Sequence, residues 1–136
     1  MHVLTALQEI SPNVDALSIT PANTSPVLPG LSLRYVNGAN TGNKPLRGTG
    51  AARMAAFAAW AFERPGREAV IATGHSLWLR SFVDMYLPRG ATHEARRRKV
   101  VNCAVLALTL QRGRVGDATV YRIAPESIVM LYGGYH

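Results

Sequence analysis

The sequence has little of what would send a protein into a membrane or an oxidising compartment. Its single cysteine, Cys103, excludes an internal disulfide, and its place in an apolar run predicts a buried small hydrophobe rather than a reactive thiol. No apolar run approaches the roughly 20 residues that a membrane-spanning helix requires. The first residues lack the basic stretch and following apolar stretch of a signal peptide, so the expected compartment is the cytoplasm. Acidic residues are scarce as well: 8 Asp and Glu stand against 15 Lys and Arg, a formal charge of +7. Such a surface attracts phosphorylated metabolites, nucleic acid or anionic membranes, and charge alone does not choose among them. The densest basic cluster is Arg96-Arg97-Arg98-Lys99. No aromatic residue interleaves it, which disfavours nucleic acid, because single strands want stacking platforms. A solvated flank that keeps the following apolar run from aggregating explains the cluster equally well.

What is present fits one domain. At 136 residues and 48% apolar content the chain has enough to bury one core, so residues 1–136 read as a single unit. Residues 2–10 suggest a strand ending near Glu9. From 11 to 50 the composition turns rich in Pro, Gly, Ser, Thr and Asn without apolar period, and reads as a long irregular loop or insertion. Order returns at 51–64, where Met54, Phe57, Ala58, Ala61 and Phe62 recur at helical spacing while Arg53 falls on another face. Pro65-Gly66 stops that helix. Residues 69–73 read as a buried strand, 77–87 as an amphipathic helix closed by Pro88-Arg89-Gly90, and 100–110 as a central strand. Turn signals at 111–117 precede a shorter strand, 119–123, expected to pair with 100–110 as a hairpin. An apolar patch at 128–132 in the tail carries no clear signal. This order predicts an α/β fold, a layered sheet flanked by helices.

Gly74-His75-Ser76 sits between the strand 69–73 and the helix that follows. Ligands bind there in open α/β sheets, since the first N–H groups of a helix are unpaired donors that favour anions. Two chemistries compete. In one, Ser76 is the nucleophile of a serine hydrolase elbow, with partners such as Asp117 and either His93 or His136. Trp78 opposes this, because that elbow needs a small residue two places after the serine. In the other, His75 donates to phosphoryl oxygens beside the backbone amides of Ser76 and Leu77. The plainer alternative is a histidine that only caps its turn.

The run Glu68-Ala-Val-Ile-Ala-Thr-Gly-His75-Ser76-Leu-Trp-Leu-Arg80 resembles the second-histidine segment of the histidine phosphatase superfamily, the phosphoglycerate-mutase-like proteins. Val100-Val-Asn102-Cys-Ala-Val-Leu-Ala-Leu resembles the strand that follows it, and the helix from Arg53 to Phe62 resembles the one before it. Leu7-Gln8-Glu9-Ile10 resembles the segment that supplies the family's acid. The resemblance implies a phosphoglycerate-mutase-like fold and metal-independent phosphoryl transfer with no cofactor. It implies that His75 donates to the transferring phosphoryl group and that Glu9 protonates the leaving oxygen. Ser76 stands where the family usually has glycine, and its amide would contact the phosphate of a small phosphorylated substrate or of inorganic phosphate.

The chain also departs from the family at a larger scale. The Arg-His-Gly that supplies the phosphorylated nucleophile is absent, so the expected protein is a truncated or inactive form lacking the N-terminal nucleophile strand. That strand is central in the family's sheet. Its absence predicts an unpaired edge and an exposed apolar face, which a homo-oligomer would cover. From another class, a basic non-enzymatic module could bind phosphorylated ligands or nucleic acid through His75 and Arg96 to Lys99.

Overall fold

Apolar spacing produces the two long helices that the sequence predicts, each shifted or trimmed by a residue or two. In the computed structural model, which describes residues 1–10, 27–36, 50–64, 66 and 69–136, α1 spans Ala51–Phe62 and α2 spans Ser76–Tyr86. Helix α2 buries Trp78, Phe82 and Tyr86, four residues apart and therefore stacked along one face. Their rings form a ladder: Trp78 lies parallel to Phe82 at 5.0 Å, and Phe82 meets Tyr86 edge-on at 4.9 Å. Phe57 from α1 closes the ladder against Trp78 at 5.3 Å and Phe82 at 5.5 Å. Met54, Ala58, Val83 and Ile123 fill the space around it and are almost fully buried. The core is thus an interface of two helices, extended by Tyr121 and Ile123.

The strands depart more from expectation. Strand β1 is only His2–Leu4, after which the chain tightens into a 3-10 turn at Thr5–Leu7. Its parallel partner β2, Arg34–Val36, lies inside the segment read as irregular. Residues 11–26 and 37–49 of that segment are outside the described residues. Residues 69–73 belong to no strand, and Ile71 is 96% exposed where a buried position was expected. An apolar, β-branched run becomes a strand only when a neighbour completes its ladder, and none of the described residues does so.

The apolar run 100–110 is likewise divided. Val100 makes a single bridge to Tyr135, Asn102 and Cys103 turn, and β3, Val105–Ala107, pairs antiparallel with β6, Val129–Tyr132. Cys103 is exposed at a φ of 61°, the left-handed region, so it is not the buried hydrophobe expected. The tail supports this turn through Gly133, also left-handed at φ 83°, where a Cβ would stand 2.9 Å from the Ala104 Cβ. The hairpin exists in a different register. Strands β4, Leu110–Val115, and β5, Ala118–Ile123, pair around Gly116-Asp117, so most of the expected turn is strand. A short helix α3, Glu94–Arg97, occupies half of the basic cluster. The fold is mixed α/β with three helices and three two-stranded sheets, and no continuous layered sheet forms among the described residues.

Burial and the neighbouring Tyr121 push the Tyr86 phenol above its ordinary range near pH 10. The folded state therefore holds this proton more tightly than the unfolded state. The resulting stabilisation is complete below pH ~10 and is lost as pH rises through the folded-state value. Melting temperatures measured from pH 8 to 11 should fall at the alkaline end, and Tyr86→Phe should flatten that fall. An unchanged alkaline slope in the variant would exclude Tyr86 as its source.

Candidate functional site

Residues 6–9 run from the 3-10 turn across the N-terminal ends of both long helices. Trp78 anchors them from α2: its indole Nε1 donates to the Ala6 carbonyl at 2.8 Å. The turn before α2 passes beside the same segment: a Cβ at Gly74 would sit 3.8 Å from the Leu7 carbonyl oxygen, an ordinary contact. Arg53, in the first turn of α1, donates through Nη1 to the carbonyls of Gln8 at 2.8 Å and Glu9 at 3.5 Å. These anchors place Glu9 at the joint of two helices and one turn.

Glu9 is the one buried charged residue among those described, with 9% of its surface exposed. Its Oε1 accepts from the backbone N–H of Ile10 at 2.7 Å, and its Oε2 lies 4.0 Å from Nδ1 of His75. His75 holds the N-cap position of α2 with an extended backbone, yet its imidazole makes no capping hydrogen bond. The ring is half-exposed and faces the carboxylate instead. A histidine that only capped its turn would have spent a ring nitrogen on the backbone. Ser76 opens the helix, and the first N–H groups there have no acceptor within it, whereas Leu79 N–H pairs with the His75 carbonyl. Two of the predicted site residues, His75 and Glu9, are brought together, and Ser76 adjoins them.

No family model, curated protein or solved structure matches this chain. The reading of the site therefore rests on its own geometry. Arg53 is the participant that the sequence analysis left unassigned. Its one signal was its position off the apolar stripe of α1, where a charged residue ordinarily faces solvent. Desolvation by burial lowers the Arg53 pKa, and the charge of Glu9 partly opposes that.

The competing constellations are not assembled. His93 spends Nδ1 on the Ala95 N–H to cap α3, Asp117 pairs with Arg114 at 3.8 Å, and His136 is held by backbone contacts to Lys99. None is shown beside Ser76. Of the basic cluster, Arg96 is tied to three backbone carbonyls and to Asp84, and Arg98 to the carbonyls of Tyr135 and His136. Only Arg97 and Lys99 project without such ties among the described residues.

A cavity of about 320 Å³ lies elsewhere, lined by Arg34, Tyr35, Val36, Trp60, Glu63 and Arg64. It includes neither His75 nor Glu9. Its Arg64 guanidinium stacks over Trp60 at 4.0 Å and contacts both ring nitrogens of His2, while Glu63 adds an opposing charge. No three His, Cys, Asp or Glu side chains among the described residues converge as metal ligands, and no described helix is long and apolar enough to cross a membrane.

Proposed function

We propose that this chain carries the acid-and-histidine half of a phosphoryl-transfer site of the histidine phosphatase kind. The observation that supports this most is the approach of Glu9 to His75 at 4.0 Å, with the carboxylate buried and the imidazole half-open above a helix N-terminus. A phosphoryl group would dock over the first turn of α2. The amides of Ser76 and Leu77 and the His75 ring would donate to its oxygens, where negative charge grows in the transition state. Glu9, buried beside the imidazole, would deliver a proton to the leaving oxygen. The ligand class is a small phosphorylated molecule or inorganic phosphate.

The 136 residues contain no Arg-His-Gly and thus no phosphorylatable histidine in that setting. The chain accordingly binds and polarises a phosphoryl group without carrying it covalently. A phosphoglycerate-mutase-like sheet is part of the same proposal, supported by the exposed apolar segment 69–73, with Ile71 96% and Val70 39% exposed beside the site. A further strand laid along 69–73 would complete its ladder, and elements packed on the two faces of that sheet would cover both side chains.

His75→Ala is expected to abolish phosphate and vanadate binding, measured by calorimetry, while the melting temperature stays within a few degrees. The half-exposed ring contributes little packing. Retained oxyanion affinity in this variant would overturn the proposal. Turnover of an aryl phosphate by the 136-residue chain would overturn the account of its missing nucleophile.

A further inference from the structure

We infer that Arg53 is the positioning residue of the Glu9–His75 pair, acting through the backbone rather than through the carboxylate. Residues 8–10 belong to no helix or strand, so no ladder fixes their peptide planes. Arg53 supplies what the ladder would. Its Nη1 donates to the Gln8 carbonyl at 2.8 Å and reaches the Glu9 carbonyl at the longer 3.5 Å, and these two carbonyls fix the peptide planes on either side of Glu9, the second of which carries the Ile10 N–H. That N–H is the donor that holds Oε1 of Glu9 at 2.7 Å. With Oε1 fixed, Oε2 is left facing Nδ1 of His75. The chain of cause runs from guanidinium to peptide plane, from peptide plane to carboxylate, and from carboxylate to imidazole.

The helix that carries Arg53 is itself locked to the same segment. Gly50, immediately before α1, has φ 69°, and a Cβ there would stand 2.8 Å from Cγ2 of Ile10. Helix α1 therefore begins in contact with the residue after Glu9, and Arg53, three positions on, reaches the two carbonyls before it. A surface arginine would be free to leave its partners for water. Arg53 is partly buried with two acceptors at hand, so leaving them would expose unpaired carbonyls beside the site.

The inference concerns the geometry of the pair, and its catalytic meaning rests on the phosphoryl-transfer reading. The test separates the two. The ring-nitrogen resonances of His75 would be recorded by ¹⁵N NMR in the full chain, in Glu9→Gln, in Arg53→Ala, in Arg53→Lys and in the Arg53→Ala/Glu9→Gln double variant. Glu9→Gln should move the Nδ1 signal. Arg53→Ala should move it the same way by at least half as much, and the double variant should move it no further than Glu9→Gln. Arg53→Lys, which keeps one donor for the carbonyls, should return part of the shift, and it stands in if the alanine variant does not fold. The inference falls if Arg53→Ala, or Arg53→Lys where the alanine variant does not fold, leaves Nδ1 at its original position while Glu9→Gln moves it, or if Glu9→Gln has no effect. Phosphate titrations of the full chain and of His75→Ala read the other question: unchanged affinity in His75→Ala overturns the function and leaves the Arg53 result standing.

Discussion

Trp78→Ala is expected to cost about 3–5 kcal/mol of folding stability, the largest loss from any single truncation among the described residues. Trp78 is 4% exposed and touches both Phe57 and Phe82, so its removal opens a cavity where the two long helices meet. Neighbouring aromatic rings cannot collapse to fill an indole-sized space without leaving their own edge-to-face geometry. The same substitution frees the Ala6 carbonyl, the tie between α2 and the segment that carries Glu9. Trp78→Phe separates these contributions. It restores most of the packing but leaves Ala6 without its indole donor, and should cost about 1–2 kcal/mol. Urea melts of the two variants check the ordering. Equal losses would place the whole effect in the hydrogen bond, and a loss near zero in both would show that the helix interface is not the core.

How far the sequence could be read follows from where each element finds its partners. Helices α1 and α2 were legible because a helix satisfies its own backbone and shows its buried face as a stripe: Met54, Phe57 and Ala58 on one, Trp78, Phe82 and Tyr86 on the other. Strands were legible only as material. Residues 69–73 have the composition of a buried strand and stay exposed, because strand formation depends on a neighbour that no local pattern encodes. The turn at Cys103 was hidden for a related reason: its left-handed backbone lies opposite Gly133, thirty residues later, and apolar composition says nothing of that approach. His75 and Glu9 could be singled out one by one from chemistry and resemblance, whereas their 4.0 Å separation appears only in three dimensions. Arg53 was invisible as a site residue because it works on main-chain carbonyls, which carry no sequence signature.

The basic cluster shows the same lesson in stability. Arg96→Ala is expected to cost about 2–4 kcal/mol, against about 0.5 kcal/mol or less for Arg97→Ala next to it. The two residues are identical in type and adjacent, and charge patterning treats them alike. Arg96 turns inward, its side chain only 18% exposed, and spans the turn between α2 and α3. It donates to the Ala91 carbonyl at 2.6 Å, to the Pro88 carbonyl at 3.1 Å and to the Leu87 carbonyl, and pairs with Asp84 at 3.1 Å. These carbonyls follow the end of α2, where the helix leaves its last acceptors unpaired and its dipole favours a cation. Alanine would leave all three without this donor. Arg96→Lys should recover less than half of the loss, because one ammonium on a flexible stem cannot reach three carbonyls that a planar guanidinium bridges together. Arg97 lies exposed, where solvent replaces whatever contact it makes. Urea melts of the three variants decide the matter: comparable losses at 96 and 97 would mean the cluster acts only through its charge, and a fully tolerated Arg96→Lys would mean that any cation serves at the helix end.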